Sequence, residues 1–103
     1  NADLWNIYGD ALWAAGHGEG ALTAYQYALQ TNPRHPRSHY CLAYVEAERG
    51  RFEQAFRHIG EALALDADGA VRGEVLQLLD ACLRGQRLAW EAEQERLATR
   101  AAR

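Results

Sequence analysis

The histidines, cysteines and scattered acids are the side chains of this sequence that could do chemistry. His35 and His39 stand four apart, a spacing at which two imidazoles on one helix face can share a metal. Pro36 falls between them and puts His35 in a turn. No third ligand is near in sequence, although Cys41 and His58 exist, so no metal site is expected. Asp66, Asp68 and Gly69 echo part of a calcium loop, but Ala64 and Val75 stand where that loop needs an acid and a glutamate. Cys41 or Cys82 beside a histidine would suggest a nucleophile. Nothing marks a lowered thiol pKa, and a small residue on a helix explains each one better. The two cysteines form no CxxC pair, and reduced, partly buried thiols are expected. No phosphate-cradling glycine motif occurs. The residues thus predict no catalytic centre, no cofactor and no metal.

The elements that position these residues are helices. Residues 3–15 carry Leu4, Trp5, Tyr8 and Leu12 at helical spacing, and Gly16 to Gly18 break the pattern. A second helix over 19–31 has an apolar stripe of Ala21, Ala24, Tyr25, Ala28 and Leu29. Asn32-Pro33 ends it, and Pro36 suits the first turn of a third helix over 36–49. Phe52, Ala55, Phe56, Ile59, Ala62 and Leu63 define a fourth helix over 52–65. Asp68 is a candidate N-cap for a fifth helix over 70–84. Gly85 is expected to close it, before a largely polar sixth helix over 86–101 with Leu88, Trp90 and Leu97. Period-two alternation is absent, so no strand is predicted.

Composition narrows the function further. The 103 residues are 49% hydrophobic, enough for one small domain. Net charge is −3 with acids and bases interspersed, so no basic stripe for nucleic acid is present. No apolar run is long enough to span a membrane, and no signal peptide is visible; a cytoplasmic setting is expected. All 11 basic residues are Arg, which with the many Ala points to a GC-rich bacterial gene. The chain has no Met, as expected of a fragment or processed chain. Late in the sequence, Glu91, Glu93 and Glu95 precede Arg96, Arg100 and Arg103, an order that suits the dipole of a solvated terminal helix.

Gly16, Ala21 and Ala28 recur 34 residues later as Gly50, Ala55 and Ala62. A fixed period of that size marks a helical solenoid. The first copy reads Trp5-x2-Tyr8-Gly9-x2-Leu12, then Ala21-x3-Tyr25, Ala28 and Pro33. The second reads His39-x2-Leu42-Ala43-x2-Glu46, then Gly50, Phe52, Ala55-x3-Ile59 and Ala62. This pattern resembles the tetratricopeptide repeat (TPR) family. The second copy departs at His39, Glu46 and Ala67, where the pattern has tryptophan, an aromatic and proline. Glu46 should reach solvent or a partner such as Arg49.

The resemblance implies an all-α, helix-turn-helix superhelix in a single domain over 1–103. Repeat 1 spans about 2–35, repeat 2 about 36–68, and a degenerate third pair over about 69–102 caps the end. The resemblance holds well over about 2–67; beyond that the phase survives at Ala89 and little else.

The resemblance also implies that the first helix of each pair lines a concave groove. That face carries Asn6, Asp10 and Trp13, then Arg37, Tyr40, Tyr44 and Glu48, then Glu74 and Leu78. Asn6/Asp10 and Tyr40/Tyr44 are i, i+4 pairs, which supports the grouping independently. Chaperone-binding relatives use a clamp of Lys, Asn and Arg on this face. Asp10 and Glu74 would repel a carboxylate, so that ligand is not expected. The groove better suits a neutral, apolar or Arg-bearing segment. The sequence therefore predicts a non-catalytic module that binds a protein or peptide, in the manner of an adaptor or secretion chaperone. Self-assembly through chain ends or the Trp90/Leu97 helix, and a repeat region attached to an enzyme, are the alternatives.

Overall fold

The computed structural model describes residues 1–102; Arg103, the last of the late basic residues, lies outside them. Five helices and no strand make up the described chain. They are α1 (Ala2–Ala14), α2 (Gly18–Thr31), α3 (Pro36–Glu48), α4 (Phe52–Leu65) and α5 (Arg72–Ala101). Helix α1 packs on α2 and α3 packs on α4 as two hairpins, and α5 follows on α4. The molecule measures 58 × 29 × 19 Å, the elongated shape of a helical repeat.

The two hairpins turn by the same device. Gly16 has φ +84° and Gly50 has φ +73°, a region that costs glycine little and other residues much. The Gly16 N–H donates to the Trp13 carbonyl and the His17 N–H to the Leu12 carbonyl. Gly50 repeats this onto Ala47, and Arg51 onto Glu46. These paired bonds are Schellman closures, so the 34-residue repeat is a repeat of helix endings as well as of small residues. At the start of α1, the Asn1 side chain accepts from the Asp3 and Leu4 amides, satisfying two donors that a helix N-terminus leaves open.

Small residues let the helices meet. Ala21, Ala28, Ala43, Ala55 and Ala62 are fully buried. One core cluster joins Ala21, Tyr25, Cys41, Leu42 and Val45 between the hairpins. The other joins Ala43, Ala55, Ile59, Ala62, Val71, Val75, Leu78 and Cys82. A Cβ added to Gly9 would lie 2.5 Å from the Tyr25 ring, so α1 and α2 approach closely only because position 9 has no side chain.

The C-terminal helix pair is corrected to one continuous helix of 30 residues. Gly85 does not end α5, and its φ is not positive. A Cβ there would lie 3.2 Å from the Phe52 ring, so Gly85 is a notch for Phe52. Burial stops at Cys82, and beyond Gly85 the helix is exposed. Asp68 is corrected too. It accepts from the Ala70 amide within the turn, while buried Asp66 accepts from the Val71 amide and α5 starts at Arg72. Among the described residues no helix is long and apolar enough to cross a membrane.

Candidate functional site

Helices α1, α2 and α3 border an open cavity of about 220 Å³, lined by Asp10, Trp13, Tyr25, Tyr40, Cys41, Tyr44 and Val45. The i, i+4 spacing of Tyr40 and Tyr44 puts both rings on one side of α3, while Leu42 and Ala43 face the core. Tyr44 meets Trp13 of α1 edge-on, with centroids 5.8 Å apart and planes at 88°. Tyr40 lies 6.5 Å from Tyr44 at 58°. Both geometries are favourable for aromatic pairs. Tyr44 keeps 38% of its surface exposed, so the cluster opens to solvent.

Asp10 forms the polar end of the cavity. The Tyr25 hydroxyl donates to its Oδ1 at 2.6 Å, and the Cys41 thiol approaches the same oxygen at 3.7 Å. Burial, and then the bond to Asp10, hold the Tyr25 phenol well above its ordinary pKa. Burial pushes the Cys41 thiol up to about 12, so it is no nucleophile. Tyr40 is also raised, first by burial and then by the charge of Glu74.

Arg37 and Glu74 meet at the edge of this face. Two hydrogen bonds, of 3.0 and 3.2 Å, tie the guanidinium to the carboxylate and bridge α3 to α5. The bond to Arg37 lowers Glu74, and the bond to Glu74 raises Arg37. Arg37 Cζ also stands 6.0 Å from the centroid of the Tyr40 ring.

The other groove residues divide. Asn6 is corrected from the groove to the interior: it is 3% exposed and its Nδ2 donates to Ser38 Oγ at 3.3 Å. Leu78 is corrected likewise, because it packs in the core of α4 and α5. Glu48 is exposed and does not line the cavity. Tyr25, Cys41 and Val45 also line the cavity; Tyr25 was expected only on the apolar stripe of the second helix. The signal for Tyr25 was its hydroxyl, since a buried phenol requires a hydrogen-bond partner.

His35 and His39 do not converge. His35 binds Ser38 Oγ and Asp3 Oδ1, each at 2.6 Å. His39 points elsewhere, with Nε2 2.9 Å from the Pro33 carbonyl and Nδ1 3.2 Å from His58 Nδ1. Among the described residues no three His, Cys, Asp or Glu side chains are arranged to hold a metal. Arg49 is not the partner of Glu46. It pairs with Glu19 across the hairpins, and buried Glu46 has Arg51 at 3.8 Å.

The family model of the tetratricopeptide repeat matches residues 12–82. The match ends at Cys82, the last buried residue of α5. No curated protein matches the chain.

Proposed function

Because this chain belongs to the tetratricopeptide repeat family, whose repeats mediate protein–protein interaction, we propose that it is a non-catalytic binding module. Its site is the face of α1 and α3 centred on Trp13, Tyr40 and Tyr44, and its ligand is a segment of a partner protein. The observation that carries this reading is the open aromatic cavity between the hairpins. Trp13, Tyr40 and Tyr44 offer large, rigid apolar area with polar tips, the residue types that anchor interfaces. Trp13 and Tyr40 pack against the core yet are only partly buried, and Tyr44 is exposed, so ring surface remains for a ligand.

Peptide display against the 103-residue chain tests it. Selected peptides should lose at least about tenfold in affinity on a Tyr40→Ala, Tyr44→Ala double change, with helical circular dichroism retained. Undiminished binding by a folded double variant defeats the reading.

A second reading has its own observation. Leu76, Leu83, Trp90 and Leu97 recur every seven residues along α5, and all four are exposed. A heptad row of this kind suits pairing with another helix, and a second copy of α5 supplies one. Sedimentation equilibrium would show a dimer that Leu97→Glu converts to monomer; a monomer at all concentrations excludes it.

A further inference from the structure

The cavity admits a more specific assignment, which rests on the groove reading above. We propose that it receives one cationic side chain of the partner segment, an arginine guanidinium, between Asp10 and the rings of Trp13, Tyr40 and Tyr44.

Charge is the first ground. Asp10 is the one carboxylate lining the cavity, and no described Arg or His pairs with it. The groups that do touch it, the Tyr25 hydroxyl and the Cys41 thiol, both converge on Oδ1. No hydrogen bond reaches Oδ2 among the described residues, and Asp10 is exposed. Arg37 is the nearby cation that could have neutralised the cavity, but Glu74 holds it at the rim. Asp10 thus has no paired counterion among the described residues, although Arg37 at the rim interacts with its charge.

The aromatic walls are the second ground. The faces of tryptophan and tyrosine rings carry negative quadrupole potential and attract cations. Three such rings beside a carboxylate act in the same direction, and both repel an anionic ligand. The chain shows the contact in miniature where the Arg37 guanidinium stands over Tyr40.

Size and shape select among cations. A cavity of about 220 Å³ is smaller than the roughly 300–1,000 Å³ of pockets that enclose a drug-sized molecule, and it suits a single side chain. A guanidinium is planar and weakly hydrated, and it can stack on a ring while donating to a carboxylate. An ammonium is compact and more strongly hydrated.

The test uses display-selected peptides on the intact chain. Peptides that bind at the groove should share an arginine at one position. Replacing that arginine by citrulline, its neutral isostere, should weaken binding by roughly tenfold or more, and lysine should be intermediate. Asp10→Asn should narrow the difference between arginine and citrulline to the part that the rings contribute. That variant keeps an oxygen acceptor for Tyr25, and the citrulline comparison on the unaltered protein stands whether or not it folds. Groove-bound peptides without a shared arginine, or with equal affinity for citrulline, overturn the arginine assignment and leave the groove intact. Peptides indifferent to the Tyr40→Ala, Tyr44→Ala change overturn both.

Discussion

Tyr25 on α2 donates its hydroxyl hydrogen to Oδ1 of Asp10 on α1 across 2.6 Å. The same tyrosine lays its ring against the bare backbone of Gly9. One residue thus joins the core of the first hairpin to the polar end of the cavity, so fold stability and the charge of the site share a side chain.

Tyr25→Phe keeps the ring and removes the bond. It should lower unfolding free energy toward the lower end of the roughly 1.5–3 kcal/mol of a hydrogen bond to a charged group, because Asp10 is exposed. Gly9→Ala should cost at least the ordinary overpacking penalty of about 1–3 kcal/mol, because a new Cβ would meet the Tyr25 ring at 2.5 Å and moving that ring strains its bond to Asp10. Urea titrations of both variants check this; an unchanged midpoint for Tyr25→Phe would show the bond to be thermodynamically silent.

Burial, followed by the neighbouring His39 and Arg57, holds His58 below the ordinary imidazole value; Glu46 and Glu61 oppose this. Unfolded chains take up that proton near pH 6.5, by the ordinary value of about 6.5, and the folded protein only at lower pH. The unfolded state binds more protons in between, so stability falls as pH drops through that window and levels off below it. His58→Asn should flatten this slope in urea titrations between neutral and mildly acid pH. Glu74, depressed by Arg37, acts in a lower window: its contribution is present above the ordinary carboxylate value and lost as pH falls through the folded one. Because the pair is exposed, this second step should fade in high salt.

Three glycines should answer differently to alanine. Gly60 lies inside α4 with nothing near its missing Cβ, so Gly60→Ala should stabilise by about 0.5–1 kcal/mol. Gly50 sits at φ +73°, and Gly50→Ala should destabilise. Gly85→Ala gains helix propensity but presses on Phe52. With Phe52→Leu in the background, the same change should become stabilising by about 1 kcal/mol. Thermal melts of the set distinguish these signs.

Both thiols are buried, and burial raises both pKa values. Iodoacetamide at pH 8 should therefore leave Cys41 and Cys82 unmodified in the native protein and label both in urea. Mass spectrometry after a timed quench reads the result. Fast labelling of folded Cys41 would contradict its burial in the cavity wall.

Much of this architecture was legible in the chain because local devices specify it. Gly16 and Gly50 end helices by backbone geometry, Pro36 starts one, and the recurring alanines mark close approach. Gly85 misled because in isolation it reads as a stop, whereas its contact with Phe52 comes from a distant helix. The site was half legible. Helical spacing put Tyr40 beside Tyr44, and the family resemblance brought Trp13 to them. The bond Asp10–Tyr25 depends on how the two helices of one hairpin meet, Arg37–Glu74 on where α5 lies against α3, and Glu19–Arg49 on how one hairpin is set against the next; no local pattern states any of these. Asn6 and Leu78 went astray for the same reason: a helix face has no sharp edge, and neighbours decide which of its borderline residues are covered.

The uncovered half of α5 divides the molecule into two thermodynamic regimes. The packed hairpins and the first turns of α5 share a core, so they open cooperatively. Residues 86–101 have no such partner. Their helicity follows helix–coil statistics, aided by side-chain pairs such as Arg87–Glu91 and Arg96–Glu93, and a segment of that length is marginal alone. It therefore opens more readily than the hairpins, whose unfolding must break the shared core. Any molecule that docks along Leu83, Trp90 and Leu97 stiffens a spring as well as covering a surface, and its affinity must include the entropy of that stiffening.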